Sequence, residues 1–241
     1  LLMDYILTRL KEENNLPKNG AVIKTIVTTT LADRIANDFG VKIIDVLTGF
    51  KFIGEKIKEW EKTNEYSFIF GYEESYGYLR GTHARDKDAV VASMLTAEMV
   101  CYYESKGIGL YQRLMDIFKR YGYYCEEVTS IAYKGVSAMA EMASAMDKLR
   151  NKTITRLDSY EVEYTADYLA RLITYPNKQT KEITLPETDA IKYCLIDGQF
   201  VCVRPSGTEP KLKVYVLCYD IDMEKATKKA DALLTAIKKE L

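Results

Sequence analysis

Histidine is almost missing from this sequence: His83 is the single example in 241 residues. A zinc site of the usual kind draws on several Cys or His ligands, so the shortage argues against one. No apolar run approaches the roughly 18 residues that a membrane-spanning helix needs, which argues against a membrane partner. Proline is scarce at five residues. Charge of one sign is missing too. Thirty-four basic residues face 35 acidic ones, for a formal charge of −1. No global field draws this chain to nucleic acid or an anionic surface, so any anion site must be local. The five cysteines (Cys101, Cys125, Cys194, Cys202, Cys218) are odd in number and never spaced C-x-x-C. Cys194, Cys202 and Cys218 lie in apolar, strand-like runs. The expectation is buried free thiols in a reducing cytoplasm. Leu1-Leu2-Met3-Asp4 has neither the basic nor the apolar region of a signal peptide and no initiator methionine. The expectation is a piece of a longer protein, opening inside a helix.

What remains is ordinary globular material, 47% hydrophobic and 29% charged. Leu2, Ile6, Leu7 and Leu10 predict a helix. Asn14 to Gly20 reads as a turn and Ala21 to Thr29 as a buried strand. A helix follows over Ala32 to Phe39, stopped by Gly40, then a strand over Val41 to Leu47. Phe52 to Lys62 predicts a helix, Tyr66 to Phe70 a strand ending at Gly71, and Asp88 to Lys106 and Gly109 to Tyr121 two more helices. This alternation predicts a three-layer α/β/α domain with a parallel or mixed sheet. In such sheets ligands bind at the carboxyl ends of strands. The loops Thr28-Thr29-Thr30, Thr48-Gly49-Phe50-Lys51 and Gly71-Tyr72-Glu73-Glu74-Ser75 leave those ends.

The pattern then changes. Glu127 to Tyr133 reads as a linking strand and Ser137 to Leu149 as a helix whose methionines Met139, Met142 and Met146 pack in the core. Strand-like segments follow at Tyr160 to Tyr164, Ala190 to Leu195, Phe200 to Arg204 and Lys211 to Cys218, with Asp197-Gly198 as a hairpin turn. Met223 to Leu241 is a lysine-rich amphipathic helix. The expectation is a smaller α+β domain with an antiparallel sheet. The division is set at residues 1–130 and 131–241, within a boundary region of 125–135.

The most informative stretch is Arg204-Pro205-Ser206-Gly207-Thr208-Glu209-Pro210-Lys211, between two apolar strands. Arg204 offers a planar fork for phosphate oxygens. Ser206 and Thr208 add hydroxyls, Gly207 lets backbone N–H groups converge, and the two prolines stiffen the loop. Lys211 can add charge. A plain polar turn is the alternative that composition alone leaves open. In Gly71-Tyr72-Glu73-Glu74-Ser75-Tyr76-Gly77, two carboxylates and a hydroxyl can hydrogen-bond the hydroxyls of a sugar, or simply form an acidic solvated loop. Lys51 reads as a hydrogen-bond donor to a phosphate, a proton shuttle or a surface lysine. In His83-Ala84-Arg85-Asp86-Lys87-Asp88, His83, Arg85 and Lys87 supply positive charge, and Asp86 or Asp88 can cap the following helix.

Taken in order, these segments resemble the α-D-phosphohexomutases of the phosphoglucomutase/phosphomannomutase type. Arg-Pro-Ser-Gly-Thr-Glu-Pro-Lys is similar to that family's C-terminal phosphate-binding signature, and Gly-Tyr-Glu-Glu-Ser to its sugar loop. The resemblance covers almost the whole chain and corresponds to the third and fourth of four domains set around one cleft, the fourth with a TATA-binding-protein-like fold. It implies phosphate binding by Arg204, Ser206, Gly207 and Thr208, with Lys211, Arg85 and Lys87 as further charge. It implies sugar binding by Glu73, Ser75, Thr48 and Gly49, and catalytic placement of Lys51 and His83. Glu74 is left without a role. No Ser-His-Asn and no Asp-x-Asp-x-Asp segment occurs, so the family's phosphorylated serine and Mg2+ loop would lie in N-terminal domains missing from this sequence. The implied reaction of the parent moves a phosphate between C1 and C6 of a hexose phosphate through glucose 1,6-bisphosphate or its analogue. The chain itself is expected to recognise hexose phosphates and to be inactive alone. A non-catalytic sugar-phosphate-binding module is the alternative. A purely structural α/β protein would leave the Arg204 loop unexplained.

Overall fold

In the computed structural model, which describes residues 1–207 and 209–241, the chain divides into two units, Leu1–Tyr121 and Gly122–Leu241. They are nearly equal in length, so the second is smaller by one residue only. The first is built in chain order from α1 (Leu2–Glu12), β1 (Gly20–Thr25), α2 (Leu31–Phe39), β2 (Lys42–Val46), α3 (Phe50–Thr63), β3 (Ser67–Tyr72), β4 (Tyr78–Leu79), α4 (Ala89–Ser105) and α5 (Leu110–Tyr121). The sheet runs β2-β1-β3-β4, parallel except for β4.

Every residue of β1, Gly-Ala-Val-Ile-Lys-Thr, is buried. That continuous apolar character suits a central parallel strand covered on both faces. Ala21 and Ile23 pack with Ile53, Ile57 and Trp60 of α3. Val22 faces the opposite cluster, with Leu7 of α1, Ile35 of α2, Met99 of α4 and Ile117 of α5. The strand stops at Thr25, four residues before the end expected from its β-branched run. The Thr28 amide closes a turn on the Thr25 carbonyl at 3.0 Å. β3 runs through Gly71 to Tyr72, beyond its expected end, because β1 on one side and β4 on the other both pair with those two residues.

The second unit comprises β5 (Tyr123–Ala132), α6 (Ala138–Asn151), β6 (Arg156–Leu157), β7 (Tyr160–Asp167), β8 (Leu172–Thr174), β9 (Thr180–Glu182), β10 (Ile191–Leu195), β11 (Phe200–Pro205), β12 (Lys211–Asp220) and α7 (Met223–Glu240). Its antiparallel sheet runs β5-β12-β11-β10-β7-β8-β9, with β6 on β7. The strand read as a link, β5, instead pairs with β12 over ten positions, from Tyr123↔Asp220 to Ala132↔Lys211. The split therefore falls at Tyr121–Gly122, before the expected boundary region. Val201, Val203, Val214 and Val216 face Met142 and Met146 of α6 and Leu233 and Ile237 of α7. Met139 lies outside that core, 60% exposed. The β10–β11 turn carries positive φ at both Asp197 (63°) and Gly198 (73°), as a two-residue hairpin demands. Among the described residues no helix is long and apolar enough to cross a membrane.

The helical face of the first unit is tied by one buried ion pair. Asp4 of α1, 1% exposed, accepts from Arg113 of α5 through both oxygens (2.7 Å each) and from the Tyr103 hydroxyl of α4 at 3.0 Å. Removing one partner of a buried pair strands the other. Asp4→Ala is therefore expected to lower stability by about 3–5 kcal/mol in urea unfolding.

Candidate functional site

Two loop systems carry the residues singled out from the sequence, one in each unit. In the first unit, β3 and β4 are joined by a tight bend, Glu73 to Gly77, closed by the Glu73 amide on the Gly77 carbonyl at 3.0 Å. Tyr76 takes a positive φ of 65° at its tip. The bend separates the two neighbouring carboxylates. Glu74 Oε2 accepts from Thr25 Oγ1 at 3.1 Å, at the carboxyl end of β1. Glu73 turns the other way, its side chain 11% exposed, with Lys87 Nζ 3.9 Å from its carboxylate. Burial pushes the Glu73 carboxyl above its usual range, Lys87 pulls it back, Glu74 raises it again, and a hydrogen bond from Ser75 lowers it. The structure thus brings Glu73, Ser75 and Lys87 together.

Gly77 makes this possible. A Cβ there would stand 2.7 Å from both Glu73 Oε1 and Lys87 Cδ. Lys87 also lies over the Phe50 ring at 5.4 Å, which places the first turn of α3 beside the bend. Thr48 and Gly49 form the β2–α3 connection. Gly49 occupies the N-cap of α3 at φ 118°, a conformation closed to most side chains. Lys51 therefore sits in the first helical turn rather than in a loop, exposed, with its ammonium 4.8 Å from the Phe52 ring.

The segment before α4 divides its charges. Asp88 caps the helix, accepting from the Val90 and Val91 amides at 2.9 and 3.0 Å, and its other oxygen lies 2.7 Å from His83 Nε2. The His83 contact first, and the two amides with it, hold the Asp88 carboxyl below its usual range. Arg85 is directed elsewhere. Its guanidinium meets both oxygens of Glu61 at 2.6 Å, and its backbone carbonyl is so close to Gly54 that a Cβ there would stand 2.5 Å away. Arg85 thereby braces its segment against α3, and its fork is already occupied by a carboxylate.

In the second unit, β11 and β12 present the other loop. Arg204 lies directly across from Lys213, and Pro205 from Leu212. The Ser206 amide donates to the Lys211 carbonyl at 2.8 Å, and Lys211 Nζ is held by Glu209 at 2.9 Å. Gly207 is surrounded by open space and does not take a positive φ, so its freedom is not spent on the turn. Thr208 lies outside the described residues. Every other arginine meets an acceptor: Arg9 meets Glu12, Arg34 the Tyr121 carbonyl, Arg80 the Ile69 carbonyl, Arg85 Glu61, Arg113 Asp4, Arg120 Asp38, Arg150 Asp167, Arg156 the Ser159 carbonyl and Arg171 Glu182. Among the described residues none meets the Arg204 guanidinium. Like charges facing each other across strands are unfavourable unless something neutralises them. Arg204 and Lys213 therefore concentrate positive charge locally in a chain of near-zero net charge. Lys213 was not singled out from the sequence, although strand alternation sets it on the side of Lys211 and the hairpin register sets it opposite Arg204.

Gly77 gives a way to separate site from scaffold. The atoms an added methyl would meet are Glu73 Oε1 and Cγ and Lys87 Cδ, side chain rather than backbone, so Gly77→Ala should cost about 0.5–3 kcal/mol in thermal unfolding and leave the fold in place. The same change should displace the Glu73 and Lys87 side-chain resonances; unmoved resonances would contradict the packing described.

Comparison with known proteins matches both units to one family. Residues 2–121 match the description "Phosphoglucomutase/phosphomannomutase, alpha/beta/alpha domain III", and residues 139–234 match "Phosphoglucomutase/phosphomannomutase, C-terminal domain". The phosphoglucomutase of Staphylococcus haemolyticus (strain JCSC1435) is 36% identical over 217 residues, 90% of this chain and 38% of that protein. The phosphoglucomutase of Staphylococcus aureus (strain MRSA252) is 30% identical over 235 residues, 97% of this chain and 41% of that protein. The chain thus spans about two fifths of the length of these relatives. The open form of Paramecium parafusin, a phosphoglucomutase, shares the fold, with a TM-score of 0.66 and 17% identity over all of this chain and 40% of its own. With both halves of the chain matched in order, it belongs to the phosphoglucomutase/phosphomannomutase family, of which it comprises the third and C-terminal domains.

Proposed function

We propose that this chain is the substrate-recognition half of a phosphohexomutase, reading the phosphate with the β11–β12 loop and the sugar hydroxyls with the Glu73 bend. The observation that carries the reading is the Arg204 guanidinium, which meets no acceptor among the described residues and faces Lys213 across the hairpin. A phosphate dianion would neutralise both, with Arg204 gripping two oxygens and the Ser206 and Thr208 hydroxyls adding donors. Glu73 and Ser75 suit vicinal hydroxyls, since a carboxylate oxygen accepts from each. Lys87 offsets the Glu73 charge and can donate to an oxygen of the ligand. Lys51 is exposed and offered to a phosphate, and His83, exposed but paired through Nε2 with Asp88, is offered to a proton.

The parent activity proposed is reversible movement of phosphate between C1 and C6 of a hexose phosphate, with hexose 1,6-bisphosphate between the two. The groups that would transfer the phosphate are not in this chain, which has no Ser-His-Asn and no Asp-x-Asp-x-Asp segment. Among the described residues no cluster of three or more His, Cys, Asp or Glu side chains is placed to hold a metal ion. In this reading Mg2+ belongs to the domains of the parent that this chain lacks, and none of the roles given to these residues requires it.

Calorimetric titration with glucose 6-phosphate and glucose 1,6-bisphosphate, beside Arg204→Ala, tests the reading. Loss of a charge-assisted contact should weaken binding by about 1.5–3 kcal/mol, roughly 10- to 150-fold. Equal affinity in both proteins would remove Arg204 from the site, and absence of binding to the unaltered chain would end the claim that this half recognises substrate by itself. In a coupled assay the chain alone should not convert glucose 1-phosphate to glucose 6-phosphate; measurable turnover would contradict the division of labour.

A further inference from the structure

We infer that Thr25, backed by Thr28, is a positioning residue for the sugar loop and acts through Glu74. The inference rests on the reading of the Glu73 bend given above and assigns different work to its two adjacent carboxylates.

Thr25 is the last residue of β1 and is fully buried, and Thr28 is 2% exposed. Their hydroxyl oxygens lie 2.8 Å apart, and Thr25 Oγ1 is also 3.1 Å from Glu74 Oε2. An ionised carboxylate only accepts, so Thr25 donates to Glu74. Its lone pair is then left for Thr28, and the chain is ordered: Thr28 donates to Thr25, and Thr25 donates to Glu74. Successive hydrogen bonds of this kind polarise and strengthen one another.

The chain has a fixed foundation. The Thr28 amide closes on the Thr25 carbonyl at 3.0 Å, and the Ile26 amide closes on the Val46 carbonyl of β2 at 2.9 Å. Both hydroxyls therefore hang from a turn tied into two parallel strands. Glu74 is the point at which the bend after β3 is tethered to that turn, 49 residues away in sequence. β4, which closes the bend from its other side, is only Tyr78–Leu79 and pairs with β3 at two positions. Without the tether the backbone of Glu73 is still held by Tyr72, paired to β1 and β4, and by the bond to the Gly77 carbonyl. The bend beyond it loses its side-chain anchor to the Thr25 turn, and the Glu73 carboxylate must sit in the narrow space beside Gly77 and Lys87. Glu74 is thus committed to the scaffold, and Glu73 is left for the ligand.

Thr25→Val keeps the shape and removes the donor; Thr25→Ser keeps the donor. Two readouts are needed, amide hydrogen exchange of the unliganded chain and affinity for glucose 6-phosphate. In Thr25→Val, exchange at Glu73 to Gly77 should rise about tenfold, the loss expected for one hydrogen bond, while amides of the β1–β3 ladder stay protected. Affinity for glucose 6-phosphate should fall by a similar factor, and Thr25→Ser should restore both. Unchanged exchange in Thr25→Val, or a Thr25→Ser that behaves like it, overturns the tether. Raised exchange with unchanged affinity overturns the positioning role. A chain that binds no glucose 6-phosphate in any form overturns the sugar-loop reading instead, and the exchange data still decide whether the tether exists.

Discussion

Lys24 sits on the central strand of the first sheet with 2% of its side chain exposed, and its ammonium has to be neutralised where it is buried. Asp45 of β2, 2.7 Å away, and Asp33 of α2, 3.4 Å away, do this. Burial pushes the ammonium toward losing its proton, and Asp45 and then Asp33 outweigh that push, so its affinity for the proton ends up raised. Burial also pushes the Asp33 carboxyl up. A charge that must be matched from two elements fixes those elements relative to β1 near the strand's carboxyl end. Thr25 follows directly, so the turn that carries Thr25 and Thr28, and through them the Glu73 bend, inherits a rigid base.

The two loops solve opposite electrostatic problems. The Glu73 bend concentrates negative charge and limits it by partial burial and a nearby lysine. Because Glu73 has its pKa raised by folding, ionisation works against the native state, and its contribution to stability is present in acid and lost as pH rises through the folded value. The β11–β12 hairpin instead holds Arg204 and Lys213 face to face. A polyol is neutral and needs oriented acceptors; a phosphate is charged and needs cations.

Elements with a strong period were legible in the sequence. The long helices, the β10–β11 turn at Asp197-Gly198 and the strands flanking the Arg204 loop all followed from local pattern. β4, β6, β8 and β9 did not, because two or three residues, as in Thr180-Lys181-Glu182, carry no alternation. Contacts between distant positions were equally hidden. Lys24 reads as one residue in an apolar run, and only the folded sheet shows its two carboxylates. Arg85 reads as a free cation until Glu61 is found beside it, 24 positions away. The residue types of the site were visible; which neighbour each had already engaged was not, since that depends on register and on side-chain direction.

The order of the second sheet has a colloidal consequence. Its two outer strands are β5 and β9, each paired on one side only. Bare strand edges invite another chain to add on, and charge along the rim opposes it. β9 is exposed throughout and carries Lys181 and Glu182; β5 carries Glu126 and Glu127 in its middle. Charge on both rims therefore opposes the strand-by-strand growth that turns an open sheet into an aggregate.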